Sequence, residues 1–151
     1  MIHGAGLRLG SEGSLFIGAS GSGKTTLAGY ASRDGVLSDD APVITRAGGS
    51  FRIHASPFSQ VDLFDPKARD HHRKEAPLAR IVFLKQSNRL ALERREKQSA
   101  LAEIIRDHIH GFDCMDRDSK TGAFRFCCDL CASIPAFDLS FQRDDRFLSL
   151  F

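Results

Sequence analysis

Gly18, Ala19, Ser20, Gly21, Ser22, Gly23, Lys24, Thr25 and Thr26 form the one stretch of this chain whose residue types and spacing point to a specific chemistry. Gly18 and Gly23 are the outer glycines of the pattern G-x-x-x-x-G-K-S/T, Lys24 is its basic residue and Thr25 its hydroxyl. Glycines let a backbone turn tightly enough for its N–H groups to face phosphate oxygens. A helix that follows adds the positive end of its dipole. In such a loop the lysine reaches the β- and γ-phosphates and the hydroxyl ligates Mg²⁺. The expected ligand is therefore a nucleoside triphosphate with Mg²⁺. An Asn-Lys-x-Asp element for guanine is absent, so ATP is expected.

The pattern needs a strand before it and a helix after it. Residues 14–17 (Ser-Leu-Phe-Ile) are a short apolar run that predicts a buried strand, and residues 25–33 carry helix formers with Leu27 and Ala28 available for packing. Alternation over residues 2–9 and a Gly-Ser-Glu-Gly turn predict a hairpin leading into the loop. Most phosphate loops follow a strand of a parallel sheet, so this hairpin points to a mixed, partly antiparallel one.

A second chemical element follows at Asp39 and Asp40, where residues 35–38 predict a short strand. Two adjacent carboxylates facing a phosphate loop can hold a metal and accept a proton. Both stay ionised only if a cation offsets their charge. The bland alternative is a hydrophilic turn before Pro42.

The remaining elements are scaffold. Residues 42–45 and 51–54 flank a Gly-Gly turn and predict a second hairpin. Residues 55–77 read as a long loop, in which Arg69, His71, His72, Arg73 and Lys74 are candidates to hold an acceptor. Residues 79–84 predict a buried strand, residues 92–110 an amphipathic helix, residues 111–122 a connection and residues 123–133 a second helix. Residues 136–141 and 146–151 predict a final hairpin. No repeat, low-complexity tract or linker interrupts the chain, so residues 1–151 are expected to form one domain.

Composition narrows the partners. Lys+Arg 21 against Asp+Glu 19, without a basic stripe, gives no reason to expect nucleic acid. No apolar run approaches the ~20 residues of a membrane span. The N-terminus lacks a basic segment followed by an apolar one, so a cytoplasmic location is expected. Cys128-x-x-Cys131 with Cys114 and Cys127 is formally a zinc set. Phe124, Cys127, Cys128, Cys131 and Ile134 at helical spacing instead predict reduced thiols on a buried face. Oligomeric state is left open, a homo-oligomer included.

Taken together, the hairpin, the glycine loop, a short helix and the strand ending in Asp39-Asp40 resemble the catalytic domain of HPr kinase/phosphorylase. That fold is shared by the nucleotide-binding part of ATP-dependent phosphoenolpyruvate carboxykinase. The matching stretches are His3-Gly4, residues 18–25 and residues 35–40, while residues 48–57, Ala76-Pro77-Leu78 and residues 81–84 also resemble small single-domain HPr-kinase-like proteins, found among bacterial peptide-maturation and uncharacterised systems. The resemblance covers most of the chain, with the distinctive motifs in residues 1–57. It implies an α/β domain with a mixed sheet and a Mg-ATP-dependent kinase acting on a serine-type hydroxyl of a protein or peptide. Lys24 and Thr25 match the phosphate lysine and the metal hydroxyl. Asp39 and Asp40 match the acidic pair, one as base and the other in the metal shell, and His3 matches a histidine near the phosphates. Thr26 stands where those enzymes often carry an acidic residue, and their glycine- and arginine-rich second signature is missing. The resemblance thus carries nucleotide binding further than it carries HPr as acceptor or the reverse reaction. Other readings of the same residues are a nucleotide hydrolase or switch, a small-molecule kinase, and a nucleotide-binding regulatory module without an acceptor.

Overall fold

The computed structural model describes residues 2–31, 35–56, 74–142 and 144–151. Strands β1 (Ala5–Leu9) and β2 (Glu12–Ile17) pair antiparallel, with Ala5 opposite Phe16 and Leu9 opposite Glu12. Helix α1 (Lys24–Tyr30) follows, and β3 (Val36–Ser38) then returns antiparallel to β1. β4 (Val43–Ala47) and β5 (Ser50–His54) form the second hairpin. β6 (Glu75–Gln86) has twelve residues and organises the sheet. Its start pairs antiparallel with β5, and its later residues run parallel to both β2 and β8 (Ala136–Phe141). β7 (Ala91–Arg95) pairs antiparallel with β8. The result is a mixed α/β architecture on an eight-stranded, mixed parallel and antiparallel sheet. Among the described residues no helix is long and apolar enough to cross a membrane.

Both faces of the central strands are covered, which is why β2 and β6 are apolar without alternation. On one face Leu15, Ile17, Ile81 and Phe83 pack against α2 (Lys97–Asp107) and α3 (Arg117–Ser133) through Ile104, Cys127, Leu130 and Cys131. On the other, Phe16, Val82 and Leu84 meet Leu27 of α1, with Phe141 and Phe147. β5 passes so close to the first hairpin that a Cβ on Gly13 would lie 2.2 Å from Ile53 Cγ2. No larger residue leaves that crossing intact.

The first three strands and the β4–β5 hairpin fall where the sequence places them. Four expectations change. Residues 92–110 are not one helix, because residues 91–95 are drawn into β7 by pairing with β8, and α2 begins at Lys97. Arg95 anchors that strand. Its guanidinium bonds Asp138 Oδ1 at 3.0 Å, pairs with Glu103 and lies 4.0 Å over the Phe83 ring. The connection 111–122 is shorter than expected, since α3 starts at Arg117. Asp116 caps it, accepting from the Asp118 and Ser119 N–H groups at 2.9 Å each. Residues 146–151 do not form a strand. Asp144 accepts from the Arg146 N–H and opens a 3-10 turn over Asp145–Leu150, which drives Phe147 between Phe16 and Phe141. Finally, Glu75, Ala76 and Pro77 belong to β6 and not to a loop, while the rest of that stretch through residue 73 lies outside the described residues, apart from Ala55 and Ser56. Cys127 and Cys131 are buried on α3 as expected, but Cys128 is only partly buried and Phe124 is 48 % exposed, because both lie off the stripe that meets the sheet.

Candidate functional site

The glycine loop joins the end of β2 to α1. Gly23 takes φ 108°, a left-handed conformation, and a Cβ there would meet Phe141 Cζ at 2.9 Å. Glycine is thus required both for the turn and for the fit of the loop on the core. The Ser22 N–H donates to the Ala19 carbonyl at 3.0 Å and the Leu27 N–H to that of Gly23 at 2.8 Å, closing the loop and starting the helix. Gln86, from the end of β6, donates to the Gly21 carbonyl at 2.6 Å and ties the loop tip to the sheet.

Lys24 is the buried charge of this loop, 8 % exposed. Its ammonium donates to the Gly18 carbonyl at 2.7 Å and to the Ala19 carbonyl at 3.1 Å. Burial pulls its pKa below the ordinary lysine value, and the nearby Asp40 carboxylate opposes that shift.

The acidic pair is positioned by Ser38, the last residue of β3. Its buried hydroxyl accepts from the Ala41 N–H at 3.1 Å and the Asp40 N–H at 3.4 Å, turning the chain sharply after the strand. The segment 2–4 then stitches this turn to the far side of the site. The Gly4 N–H donates to the Asp40 carbonyl at 2.7 Å, the His3 N–H donates to the His108 carbonyl at 2.7 Å, and Ile2 bridges to Ile109.

These contacts bring distant parts of the chain to one polar cleft of about 270 Å³. Ser20, Gly21, Gly23, Lys24, Thr25 and Thr26 of the glycine loop line it, together with His3, Asp39 and Asp40. Gly18 and Ala19 stand behind the cleft as the carbonyl partners of Lys24. His3 Nδ1 approaches Asp40 Oδ1 to 3.0 Å, at an angle that makes no hydrogen bond, so this buried nitrogen has no hydrogen-bond partner among the described residues. Burial, then the Lys24 charge, lowers the His3 pKa, with the Asp40 carboxylate opposing and His110 adding to the lowering.

The donor set suits a phosphate group with a bound cation. No side chain caps α1, so the first-turn N–H groups of Lys24, Thr25 and Thr26 belong to residues that open on the cleft. α1 has seven residues, which limits its dipole and leaves the ammonium of Lys24 as the main positive charge. Ser22 Oγ is buried without a hydrogen-bond partner among the described residues. Across the cleft the carboxylates of Asp39 and Asp40 supply hard oxygen ligands, and the Thr25 hydroxyl is exposed to the same space.

The sequence reading missed three contributors. His108 and His110 were absorbed into the expected helix 92–110, yet the helix ends at Asp107 and both rings come to His3. His108 is buried and stacks on His3 with ring centroids 6.4 Å apart; His110 meets His3 edge-on at 5.1 Å. Their i, i+2 spacing, which puts two side chains on one face of an extended segment, was the available signal. Gln86 carried none. Of the candidate acceptor residues, Arg69, His71, His72 and Arg73 lie outside the described residues, and Lys74 precedes β6.

Comparison of the chain with protein families finds no matching family, and comparison with curated proteins finds no match.

Proposed function

We propose that this chain is a phosphate-loop nucleotide-binding domain of the HPr-kinase kind, and that it transfers the γ-phosphoryl group of Mg-ATP to a serine-type hydroxyl of a protein or peptide. One observation carries the reading: a lysine in a glycine loop and a pair of aspartates, separate in sequence, line one cleft, with His3 against Asp40. The antiparallel hairpin before the loop and the acidic pair directly after β3 support the same assignment.

Bound Mg-ATP would supply the transferable phosphoryl group and the counter-charge that keeps both carboxylates ionised. Ser20, Gly21 and Gly23 through Thr26, which line the cleft, would bind the phosphates, with Lys24 as the cation that spreads their charge. Thr25 and Asp40 would hold the metal. His3, against Asp40, fixes the orientation of that carboxylate. Asp39 then takes the proton of the acceptor hydroxyl, a contribution of roughly 10²–10⁴-fold. Positioning and electrostatics supply the larger share of the acceleration.

The test is incubation with γ-labelled ATP and either a lysate or candidate serine peptides. Label on a serine of an acceptor, lost in Lys24→Ala, supports the kinase reading. Release of labelled phosphate with no labelled acceptor favours a hydrolase, and tight nucleotide binding without turnover favours a regulatory module.

A further inference from the structure

An apolar cavity of about 290 Å³ adjoins the segments that carry the polar cleft, and the phosphotransfer chemistry leaves it unused. Ile2, Val43, Ile44, Ile109, Ala123 and Phe126 are among its lining residues. Val43 and Ile44 open β4, the last strand in the sheet order, which pairs only with β5 among the described residues. We propose that this edge and its cavity dock the acceptor as an added strand. An extended peptide pairs with β4, seats one bulky apolar side chain (Leu, Ile, Met or Phe) in the cavity, and so brings its serine to the acidic pair. Delivery of the serine rests on the kinase reading; the docking edge itself does not.

The free hydrogen-bonding groups of β4 follow from its turn. Gly48 and Gly49 take φ 59° and 83°, and such a two-residue turn makes Ala47 and Ser50 a pair that exchanges both hydrogen bonds. Alternation along an antiparallel ladder then makes Thr45–Arg52 and Val43–His54 the next bonded pairs. The N–H and C=O groups of Ile44 and Arg46 therefore point away from β5, and no described residue bonds them. That is the row of donors and acceptors an added strand requires. Thr45, Arg46 and Ala47 are exposed. Arg46 is already paired with Asp129, so this rim asks no charge of the peptide.

The cavity meets that row. Val43 and Ile44 are neighbours whose side chains alternate between the sheet faces, yet both line it, which puts it at the margin of the strand. Its other walls are α3 and the Ile2–Ile109 bridge. Main-chain pairing gives such a site its affinity, and the pocket gives it its choice of side chain.

Continuity with the cleft selects the occupant. Ile2 lines the cavity and His3 the cleft; Pro42 lines the cavity and Asp40 the cleft. From Asp40 to Ile44 is about 13 Å of extended chain, so a peptide lying on β4 carries its apolar anchor roughly three residues from the serine. A second copy of this chain would use the same edge but would gain nothing from its closeness to the acidic pair.

The experiment is a peptide array with one fixed serine and every neighbouring position varied through the amino acids. It is read by binding of the dye-labelled protein without nucleotide, and separately by transfer of label from γ-labelled ATP. We expect both readouts to select Leu, Ile, Met or Phe at one position roughly three residues from the serine. The best-bound peptide is then titrated against variants whose folding is checked by circular dichroism. Ala123→Phe fills the cavity and is expected to weaken binding about 10-fold or more. Arg46→Pro removes one outward N–H at an edge position, where proline is tolerated, and should weaken it about 5-fold. Arg46→Ala keeps that N–H and should bind as the parent does, and this pair tests the edge whether or not Ala123→Phe folds. Selective binding without transfer would uphold the docking edge and remove the kinase reading. Transfer to serine without apolar selection would do the reverse. Absence of apolar selection in binding overturns the docking edge, as does Arg46→Pro binding as tightly as Arg46→Ala. So would a dimer in sedimentation that Arg46→Pro dissociates, which would give the edge to a second copy.

Discussion

At the scale of single residues, the two aspartates of the turn after β3 are not equivalent. Asp40 has its carboxylate against His3 and its backbone against Gly4, whereas Asp39 is half-buried on the same cleft. Under the proposed function, Asp40 takes the metal-facing role and Asp39 accepts the proton. Asp39→Asn keeps the shape and removes the basic oxygen. The expected outcome is nucleotide affinity within a few-fold of the parent and transfer slowed by roughly 10²–10⁴-fold, measured by equilibrium titration and single-turnover labelling. Unchanged turnover would remove Asp39 from the mechanism. Lys24→Ala is expected to behave differently, losing affinity as well as transfer, because it removes the principal cation of the loop.

At the scale of elements, the glycine turn before α1, the turn after β3 and the strands around them were legible in the sequence because their signals are local. Glycine spacing, a Gly-Gly turn and apolar runs act within a few residues. The failures occurred where tertiary partners decide. Ala91–Arg95 reads as helix by intrinsic preference, and only β8, Asp138 and Phe83 make it a strand. Residues 146–151 alternate like a strand, yet the Asp144 cap and the pocket for Phe147 turn them into a 3-10 segment. The histidines beside the site stayed hidden for the same reason, because the end of α2 is set by what packs there. The Gly13–Ile53 crossing is the sharpest of these non-local constraints and can be measured. Gly13→Ala is expected to cost about 1–3 kcal/mol through overpacking. Ile53→Ala, which leaves a cavity, should cost about 2–5 kcal/mol. Because the same methyl group is at stake, the double variant should be more stable than the sum of the two losses implies, by about 0.5–3 kcal/mol in urea denaturation. Strict additivity would mean that the two strands do not meet as described.

At the scale of the whole molecule, the helical layer carries a pH dependence unrelated to the cleft. Burial pushes the thiols of Cys127 and Cys131 up to about 11 from an ordinary 9.0. The folded protein then holds protons that the unfolded chain releases, so the native state loses ground as pH rises. The contribution is full below about pH 9 and is lost by about pH 11. Urea midpoints taken across that interval should fall more steeply for the parent than for a variant with alanine at both positions. Equal slopes would show that these thiols are not buried in solution.

β6 also has a consequence for how the chain is made. Its twelve residues contact β2 and β5, which emerge from the ribosome before it, and β8, which emerges some fifty residues later. Until that last strand appears, half of β6, the longest strand among the described residues, presents bare amide and carbonyl groups to the surroundings. A nascent chain stalled or cut before residue 136 would own every residue assigned to phosphate binding and still lack a closed sheet. Such a fragment would be sticky, a target for chaperones and not a smaller version of the folded domain.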